Sequence, residues 1–372
     1  MIRLSKSCIS EKEKAAVALV LDRGYLGMGQ DVKEFEEKLT DFFGRTTLCV
    51  ASGTAALQLA IQACGIGTDD EVLVPSLTYV ASFQAIAATG AKAIACDIVE
   101  ETCMFDWKDA EKRITEKTKA IMIVHYCGGI GDIVGIHAFA SKYKLRIIED
   151  AAHAFGTVFQ GKRIGSFGDI SCFSFDGIKN ITCGEGGCVV SDDEEIIRRI
   201  QDSRLLAVQK DTEKRFTGQR SWEFDVEEQG WRYHMSNIMA AIGLVQLNRF
   251  PEFATKRQAL AKRYDELFFG SKIIIPLERN YDEVVPHIYV VRIQNMKNRT
   301  ALQEQLLAKG IQTGIHYQPN HILSFFKNET RAPLPVIDRV FPQLLTLPLH
   351  PDLSVTDVEF VCSELQKLVD AK

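Results

Sequence analysis

The sequence predicts an α/β protein with a mainly parallel central sheet, flanking helices and a smaller C-terminal α+β domain. Between residues 71 and 149, short apolar runs alternate with segments of helical spacing. Strands separated by about ten to fifteen helical residues form right-handed βαβ units and a parallel sheet. The 372 residues are enough for roughly two domains, which we place at residues 1–250 and 251–372.

The elements of the first domain follow from apolar spacing and turn residues. Helical spacing covers residues 10–23 and 31–43, and a short strand at 48–50 precedes a small-residue turn and a helix ending at Ala63. The alternating region contains strands at 71–74, 93–96, 120–124 and 145–149, and helices at 79–88, 107–114 and 136–142. Two further apolar runs, 170–175 and 188–190, predict buried strands.

The second half of the chain predicts a long loop and two longer helices, followed by a C-terminal region of alternating strands and helices. Residues 203–231 are polar and irregular, so we expect a long loop. Helices are predicted at 236–247 and 253–268, separated at Pro251. In the C-terminal domain we expect strands at 287–293 and 312–317, and helices at 299–309 and 356–368.

Composition excludes several classes of function. The formal net charge of −5 gives no basic field for nucleic acid. No apolar run approaches about 20 residues, so no membrane span is predicted, and the N-terminus becomes charged too early for a signal peptide. The ten cysteines are scattered without a CxxC pair, which indicates reduced thiols. We expect a cytoplasmic protein without a metal site.

Lys179 is the residue most clearly marked for chemistry. It lies between two predicted buried strands and precedes the glycine cluster at 184–187. Most lysines are solvated at the surface, but glycines that let backbone approach closely make a surface role a poor explanation here. A desolvated lysine has a lowered pKa and forms a Schiff base with a carbonyl group. Pyridoxal phosphate enzymes require such a lysine, so the sequence predicts this cofactor.

Asp150 directly follows the predicted strand at 145–149. Open α/β sheets bind their ligands at this carboxyl edge. A carboxylate there would keep the pyridine nitrogen of the cofactor protonated, so that the ring can act as an electron sink. We therefore predict that Asp150 pairs with the ring nitrogen.

Two other features have open interpretations. The turn at 51–56 suits a phosphate, because it presents free N–H groups at a helix N-terminus, but Ser52 or Thr54 could equally serve as a plain N-cap. Tyr79 begins a helix after a strand, where it could stack on a flat ring or pack in the core. His125, just after a strand, has the same two interpretations, and we favour a structural role for it.

Several spaced motifs occur in one order along nearly the whole chain. They are SGTAALQLA from Ser52, DEVLVPSLTYVAS from Asp70, IIEDAAHAFG from Ile147, GDISCFSF from Gly168, Lys179, GEGG from Gly184 and MSNIMAAIGLVQL from Met235. With these motifs the chain resembles the DegT-type sugar-nucleotide aminotransferases, which are fold-type I pyridoxal phosphate enzymes with an aspartate-aminotransferase-like fold. Within that family it looks closest to the perosamine-synthase-like members.

The resemblance implies a role for each matching position. Lys179 would hold the cofactor covalently and then act as the proton-transfer base, and Asp150 would pair with the pyridine nitrogen. The other implied cofactor contacts are His153 beside the ring, Tyr79 stacked on it, and Ser174 with the backbone of Gly53, Thr54 and Ala55 at the phosphate. Such enzymes are generally homodimers with active sites at the subunit interface.

The chain departs from the family pattern at two places. Where many members have an asparagine that reaches the partner subunit's cofactor phosphate, this chain has Arg232, with His234 in place of the following arginine. An arginine can bind phosphate bidentately, so Arg232 is included among the cofactor contacts. Asp176 stands where members often have an aromatic residue or histidine. Together with His316, Tyr317 and His321, it is a candidate substrate contact.

The implied reaction moves an amino group from glutamate to a nucleotide-linked keto sugar, with a 4-keto-6-deoxy sugar favoured, for polysaccharide or glycan biosynthesis. Amination at C3 and a non-catalytic regulatory relative are the alternatives. A sugar 3-dehydratase of the same fold would have histidine in place of Lys179. A nicotinamide-dependent oxidoreductase would need a glycine fingerprint after the first strand, which is missing here.

Overall fold

The computed structural model describes residues 1–327 and 331–370 of the protein. The strands are β1 (Thr47–Val50), β2 (Glu71–Pro75), β3 (Lys92–Cys96), β4 (Thr118–Val124), β5 (Arg146–Asp150), β6 (Val158–Phe159), β7 (Lys162–Arg163), β8 (Ile170–Ser174), β9 (Gly187–Val190), β10 (Ile274–Pro276), β11 (Tyr289–Ile293) and β12 (Leu344–Leu347). The α-helices are α1 (Glu11–Arg23), α2 (Gln30–Phe43), α3 (Gly53–Ala63), α4 (Val80–Ala87), α5 (Trp107–Glu111), α6 (Ile133–Tyr143), α7 (Glu194–Ser203), α8 (Asp211–Phe216), α9 (Asn237–Phe268), α10 (Arg299–Ala308), α11 (Pro335–Val340) and α12 (Val355–Asp370).

A seven-stranded sheet with the order β1-β9-β8-β5-β4-β2-β3 forms the centre of the fold. The strands from β8 to β3 are parallel, and β9 runs antiparallel to both β8 and β1. The strands β2 and β9 are buried along their whole length, which explains the apolar runs at 72–75 and 188–190. The predicted α/β fold with a mainly parallel sheet is confirmed.

A second, antiparallel sheet with the order β10-β11-β12 lies in the C-terminal part, together with α10 and α12. The N-terminus joins this part: the Ile2 N–H donates to the Gly310 carbonyl at 2.7 Å, and the Leu349 N–H donates to the Leu4 carbonyl at 3.1 Å. The helix α9 spans the expected division between residues 250 and 251. The division into two domains stays a prediction. The last two residues of the expected second domain, 371–372, lie outside the described residues.

Four predicted elements, two helices, one loop and one strand, differ in the structure. Residues 236–247 and 253–268 belong to the single helix α9, which continues through Pro251. Proline costs the helix one hydrogen bond, but buried Phe250 and Phe253 on either side hold it against the core. The predicted loop at 203–231 contains α8, where Arg215 pairs with buried Asp211 one turn away at 2.8 Å.

The predicted strand at 312–317 is also wrong. Only Gly314 forms a bridge there, with Thr346 of β12. The side chains of His316 and Tyr317 form other contacts: His316 Nδ1 lies 2.9 Å from the Thr346 hydroxyl, and Tyr317 Oη lies 2.9 Å from His153 Nε2. The segment is therefore a loop whose polar side chains contact β12 and His153.

Within the described residues, none of the helices is long and apolar enough to cross a membrane.

A buried ion pair fixes the position of β1. The guanidinium of Arg204, which is 0% exposed, donates to the carboxylate of Glu36 and to the Cys49 carbonyl, the latter at 2.8 Å. The same Glu36 oxygen accepts the Cys49 N–H at 2.7 Å. Because β1 leads directly into the turn before α3, this pair also fixes where that helix begins.

We expect Glu36→Ala to lower the free energy of unfolding by about 3–5 kcal/mol, because it leaves the Arg204 charge buried without its partner. Urea unfolding followed by circular dichroism measures this loss. Glu37→Ala is the matched control, since Glu37 is 62% exposed at its side chain and lies 3.8 Å from Lys33; it should change stability by less than about 0.5 kcal/mol. Equal losses in the two variants would contradict the assignment.

Candidate active site

A cavity of about 400 Å³ opens at the carboxyl edge of the central sheet. Val124, Asp150 and Ser174, the last residues of β4, β5 and β8, line its floor. The beginning of α3 and residues next to α4 form its sides. Parallel strands end at one edge, so the sheet itself brings these separate parts of the chain together.

Lys179 projects from the loop between β8 and β9 into this cavity. The loop is fixed by backbone and side-chain bonds: the Lys179 N–H donates to the Asp176 carbonyl at 3.1 Å, and the Asn180 amide donates to the carbonyls of Phe155 and Val285, both at 3.1 Å. Burial lowers the pKa of the Lys179 ammonium to about 8, although the carboxylates of Asp150 and Asp176 oppose this shift. A larger share of neutral amine is therefore present near pH 7 than on an ordinary lysine.

Asp150 is buried at the end of β5. The Ser82 hydroxyl donates to its Oδ2 at 2.7 Å, and the Ala152 N–H donates to its Oδ1 at 3.2 Å. Burial raises the pKa of the carboxyl, while these two hydrogen bonds and the Lys179 charge lower it. A cationic ring nitrogen against this carboxylate would favour the ionised form further.

The turn before α3 forms a tight anion cradle. Ser52 caps the helix, with its Oγ accepting the Ala55 N–H at 3.1 Å. A Cβ on Gly53 would lie 2.8 Å from Ser174 Cβ, so only glycine allows this close approach of α3 to β8. Gly53, Thr54 and Ser174 all line the cavity. Ser52 is thus an N-cap. The cap uses the Ala55 N–H, which the resemblance assigned to the phosphate, and leaves the N–H groups of Gly53 and Thr54 available to a phosphate.

Three ring side chains form one wall of the cavity. His153 Nε2 lies 2.9 Å from Tyr317 Oη, and the rings of Tyr317 and Tyr79 lie 5.3 Å apart. The Tyr79 residue is 58% exposed, which excludes core packing and leaves its ring free at the cavity. A flat ring would find stacking partners on this wall.

Two residues of the site were missed in the sequence. Ser82, one helical turn after Tyr79, holds Asp150. His287 lies at the start of the C-terminal part, with its Nε2 3.5 Å from Lys179 Nζ and its ring 4.5 Å from that of His153. The sequence marks His287 only as a histidine between a proline and an apolar strand, and no neighbouring residue indicates that it would contact Lys179.

The structure places Asp176 and His316 at the cavity, but not Arg232 or His321. Arg232 is exposed, and its backbone pairs with Leu205. His321 lies between Ser76, with Nδ1 at 2.7 Å from the hydroxyl, and Asp338, with Nε2 at 3.1 Å from the carboxylate. These contacts fully occupy the His321 ring in a structural position.

His125 is entirely buried away from the cavity. Its Nδ1 lies 2.9 Å from the Gly129 carbonyl, and its Nε2 lies 3.5 Å from Glu149. These contacts agree with the predicted structural role.

The cavity residues fit pyridoxal phosphate. The cradle at Gly53 suits its phosphate, buried Asp150 suits its ring nitrogen, and the amine of Lys179 suits its carbonyl carbon. The Nδ1 atom of His153 is buried without a hydrogen-bond partner among the described residues, so a polar group of a ligand could satisfy it.

Comparison with known proteins agrees with this geometry. The chain is 34% identical to the protein MJ1066 of Methanocaldococcus jannaschii, covering 98% of this chain and 96% of that one. Its structure is similar to Spr1654 of Streptococcus pneumoniae in the PMP form, with a TM-score of 0.93, 32% identity and coverage of 100% and 98%. It is also similar to the sugar aminotransferase CalS13 of Micromonospora echinospora, with a TM-score of 0.90, 30% identity and coverage of 99% and 100%.

A sequence model of one family matches residues 7–366, which includes every part of the cavity described above. The chain belongs to the DegT/DnrJ/EryC1/StrS aminotransferase family.

Proposed function

We propose that the protein is a pyridoxal phosphate-dependent aminotransferase that moves an amino group from glutamate to a nucleotide-linked keto sugar. The observation that carries this proposal is the convergence of a desolvated lysine, Lys179, and a buried carboxylate, Asp150, on one cavity. Family membership and the likeness to the sugar aminotransferase CalS13 support the sugar as acceptor. We favour a 4-keto-6-deoxy sugar and a role in polysaccharide or glycan biosynthesis in the cytoplasm.

When bound, the cofactor would supply an electron sink for the electron pair left behind when the donor carbon loses its proton. The chain's own residues do the rest. Asp150 keeps a positive charge at the ring nitrogen, because a buried carboxylate favours a cationic neighbour. Lys179 Nζ would take the proton from the amino-bearing carbon of the donor and deliver it to the former carbonyl carbon of the cofactor, on the other side of the nitrogen; this needs a substantial fraction of neutral amine at the working pH. The α3 N-terminus and Ser174 orient the phosphate.

We further propose a homodimer in which Arg232 contacts the cofactor phosphate of the partner subunit. Arg232 is exposed and lies away from the cavity of its own protomer. The surrounding segment also exposes apolar side chains, with Trp222 at 86% and Phe224 at 59%. Such exposed aromatic residues are typical of a protein–protein interface.

The reaction is tested with purified enzyme, pyridoxal phosphate, glutamate and a panel of nucleotide-linked keto sugars. We expect one 2-oxoglutarate per active site with glutamate alone, and continued release of 2-oxoglutarate with an equal amount of amino sugar when the right acceptor is added. Mass spectrometry of the product separates C4 from C3 amination. Lys179→Ala should release no 2-oxoglutarate, whereas Lys12→Ala, at an exposed position of α1, should behave as the wild type. Glutamate left unchanged by folded, cofactor-loaded wild type would sink the proposal.

The lowered pKa of Lys179 predicts how fast the apoprotein attaches its cofactor. Only the neutral amine attacks a carbonyl, so the second-order rate should fall about tenfold for each pH unit below about 8 and level off above it. Stopped-flow absorbance with pyridoxal phosphate measures this rate. Asp176→Asn should move the midpoint to lower pH, because the Asp176 carboxylate raises the pKa of Lys179. A rate that does not change with pH below the midpoint would contradict the lowered pKa.

Arg232→Ala should weaken pyridoxal phosphate binding by roughly tenfold or more, since a charge-assisted hydrogen bond to phosphate is worth about 1.5–3 kcal/mol. Equilibrium titration of the apoprotein measures the Kd. Arg198→Ala is the matched control, because Arg198 is exposed on α7 and pairs with Glu195. Unchanged affinity in Arg232→Ala, with the dimer intact by light scattering, would count against this role.

A further inference from the structure

We propose that His287 is a positioning residue whose Nε2 atom holds the free amine of Lys179 whenever that amine is not bonded to the cofactor. The inference rests on the proposed function, since only a lysine that breaks and remakes its bond needs a defined resting place. Its physical content, a hydrogen bond between two side chains of the apoprotein, can be tested without any turnover.

The contact joins two parts of the chain that are 108 residues apart. Lys179 Nζ comes from the loop after β8, and His287 comes from the segment just before β11. The distance of 3.5 Å between Nζ and Nε2 is at the long end for a hydrogen bond. His287 is only 2% exposed, so no bulk water competes for the same atom.

The His287 backbone is held rigidly. Arg257, itself 2% exposed, donates through Nη1 to the His287 carbonyl at 2.9 Å and to the carbonyls of Pro286 and Leu349 at 3.4 and 3.3 Å. On its other side the His287 ring packs against the His153 ring, with 4.5 Å between the centroids. The acceptor atom therefore has a fixed position, and the mobile partner is the lysine.

The imidazole acts as an acceptor here and not as a base. Burial, with the nearby charges of Lys179 and Arg257, holds the pKa of His287 well below its usual range. The pKa of Lys179 is about 8, so a proton shared between the two nitrogens stays on the lysine. An ammonium has only donors, so Nε2 accepts and the ring proton of His287 sits on Nδ1.

The neighbouring acids do not replace this contact. Asp150 and Asp176 affect Lys179 through longer-range attraction, and the Asp150 oxygens already accept from Ser82 and the Ala152 N–H. Among the described residues, neither carboxylate is within ion-pair distance of Nζ. The other titratable groups that line this cavity include Glu185, Tyr79, Tyr317 and the imidazoles of His153 and His316. Burial keeps the pKa of both imidazoles below the usual range.

The test uses the full-length apoprotein and measures how fast Lys179 reacts with a small amine-specific acylating reagent, by peptide mass spectrometry between about pH 6 and pH 10. Loss of the acceptor disfavours the ammonium, so His287→Leu should move the midpoint of Lys179 reactivity down by about one pH unit. His287→Gln should recover most of the shift, because the end of its side chain offers an amide oxygen near the place of Nε2.

His350→Leu is the matched control. His350 is also a buried histidine of the C-terminal part, but its ring makes no hydrogen bond within the described residues and it does not line the cavity. It should leave the Lys179 midpoint at the wild-type value. A wild-type midpoint in folded His287→Leu, or no recovery in His287→Gln, would overturn the proposal.

A second measurement covers the case in which His287→Leu does not fold. In apoprotein with ¹⁵N-labelled histidine, Nε2 of His287 should have the shift of an unprotonated, hydrogen-bonded nitrogen. In Lys179→Met it should move toward the value of a free nitrogen. An identical Nε2 shift in both proteins would refute the contact.

These apoprotein results are separable from the proposed function. If glutamate releases no 2-oxoglutarate but His287→Leu still moves the Lys179 midpoint, the reaction assignment fails and the contact stands. If the wild type turns over, but the Lys179 midpoint does not change in His287→Leu and the His287 Nε2 shift does not change in Lys179→Met, only the positioning role of His287 is refuted.

Discussion

The site depends on the burial of the Lys179 amine, which is kept out of water without a direct ion pair. Burial alone moves the pKa of Lys179 from 10.5 to about 8 even though two carboxylates favour its ammonium. If those acids were in direct contact with Nζ, attraction would hold the lysine charged and the amine would be a poor base. The loop from Asp176 to Gly186 thus has to place Lys179 near Asp150 but short of an ion pair, and the Asn180 bonds to Phe155 and Val285 fix that distance.

The sheet makes this placement possible because it gathers distant segments at one edge. Asp150 and Cys172 are register partners in the parallel pair of β5 and β8, so the end of each strand is set by the other. The antiparallel strand β9 then brings the loop after Lys179 back beside β1, and β1 leads to the cradle at Gly53. The buried pair of Glu36 and Arg204 holds the β1 end of this arrangement.

The sequence predicted the parts of the site that are determined locally. Lys179, Asp150 and the turn at Ser52 are each marked by a strand end beside glycine or small residues, and strand order then brings them together. His287 and Ser82 could not be predicted this way, because their roles depend on tertiary packing across 108 and 68 residues. The same reason explains the failed strand at 312–317, where the contacts of His316 with Thr346 of β12 and of Tyr317 with His153 of the site outweigh the local β preference. For Pro251, core contacts of Phe250 and Phe253 outweigh the local rule that proline ends a helix.

The charge of the cavity supports the proposed homodimer. Among its lining residues in the described chain, Lys179 is the one lysine or arginine, whereas Asp150, Asp176 and Glu185 are acids. The nearby imidazoles add no positive charge, since burial keeps His153 and His316 below the usual histidine pKa. A helix N-terminus contributes only about half a unit charge toward a phosphate dianion. This shortage of positive charge is the physical ground for the dimer proposed above, in which exposed Arg232, a residue that does not line the cavity of its own protomer, would contact the phosphate in the second subunit.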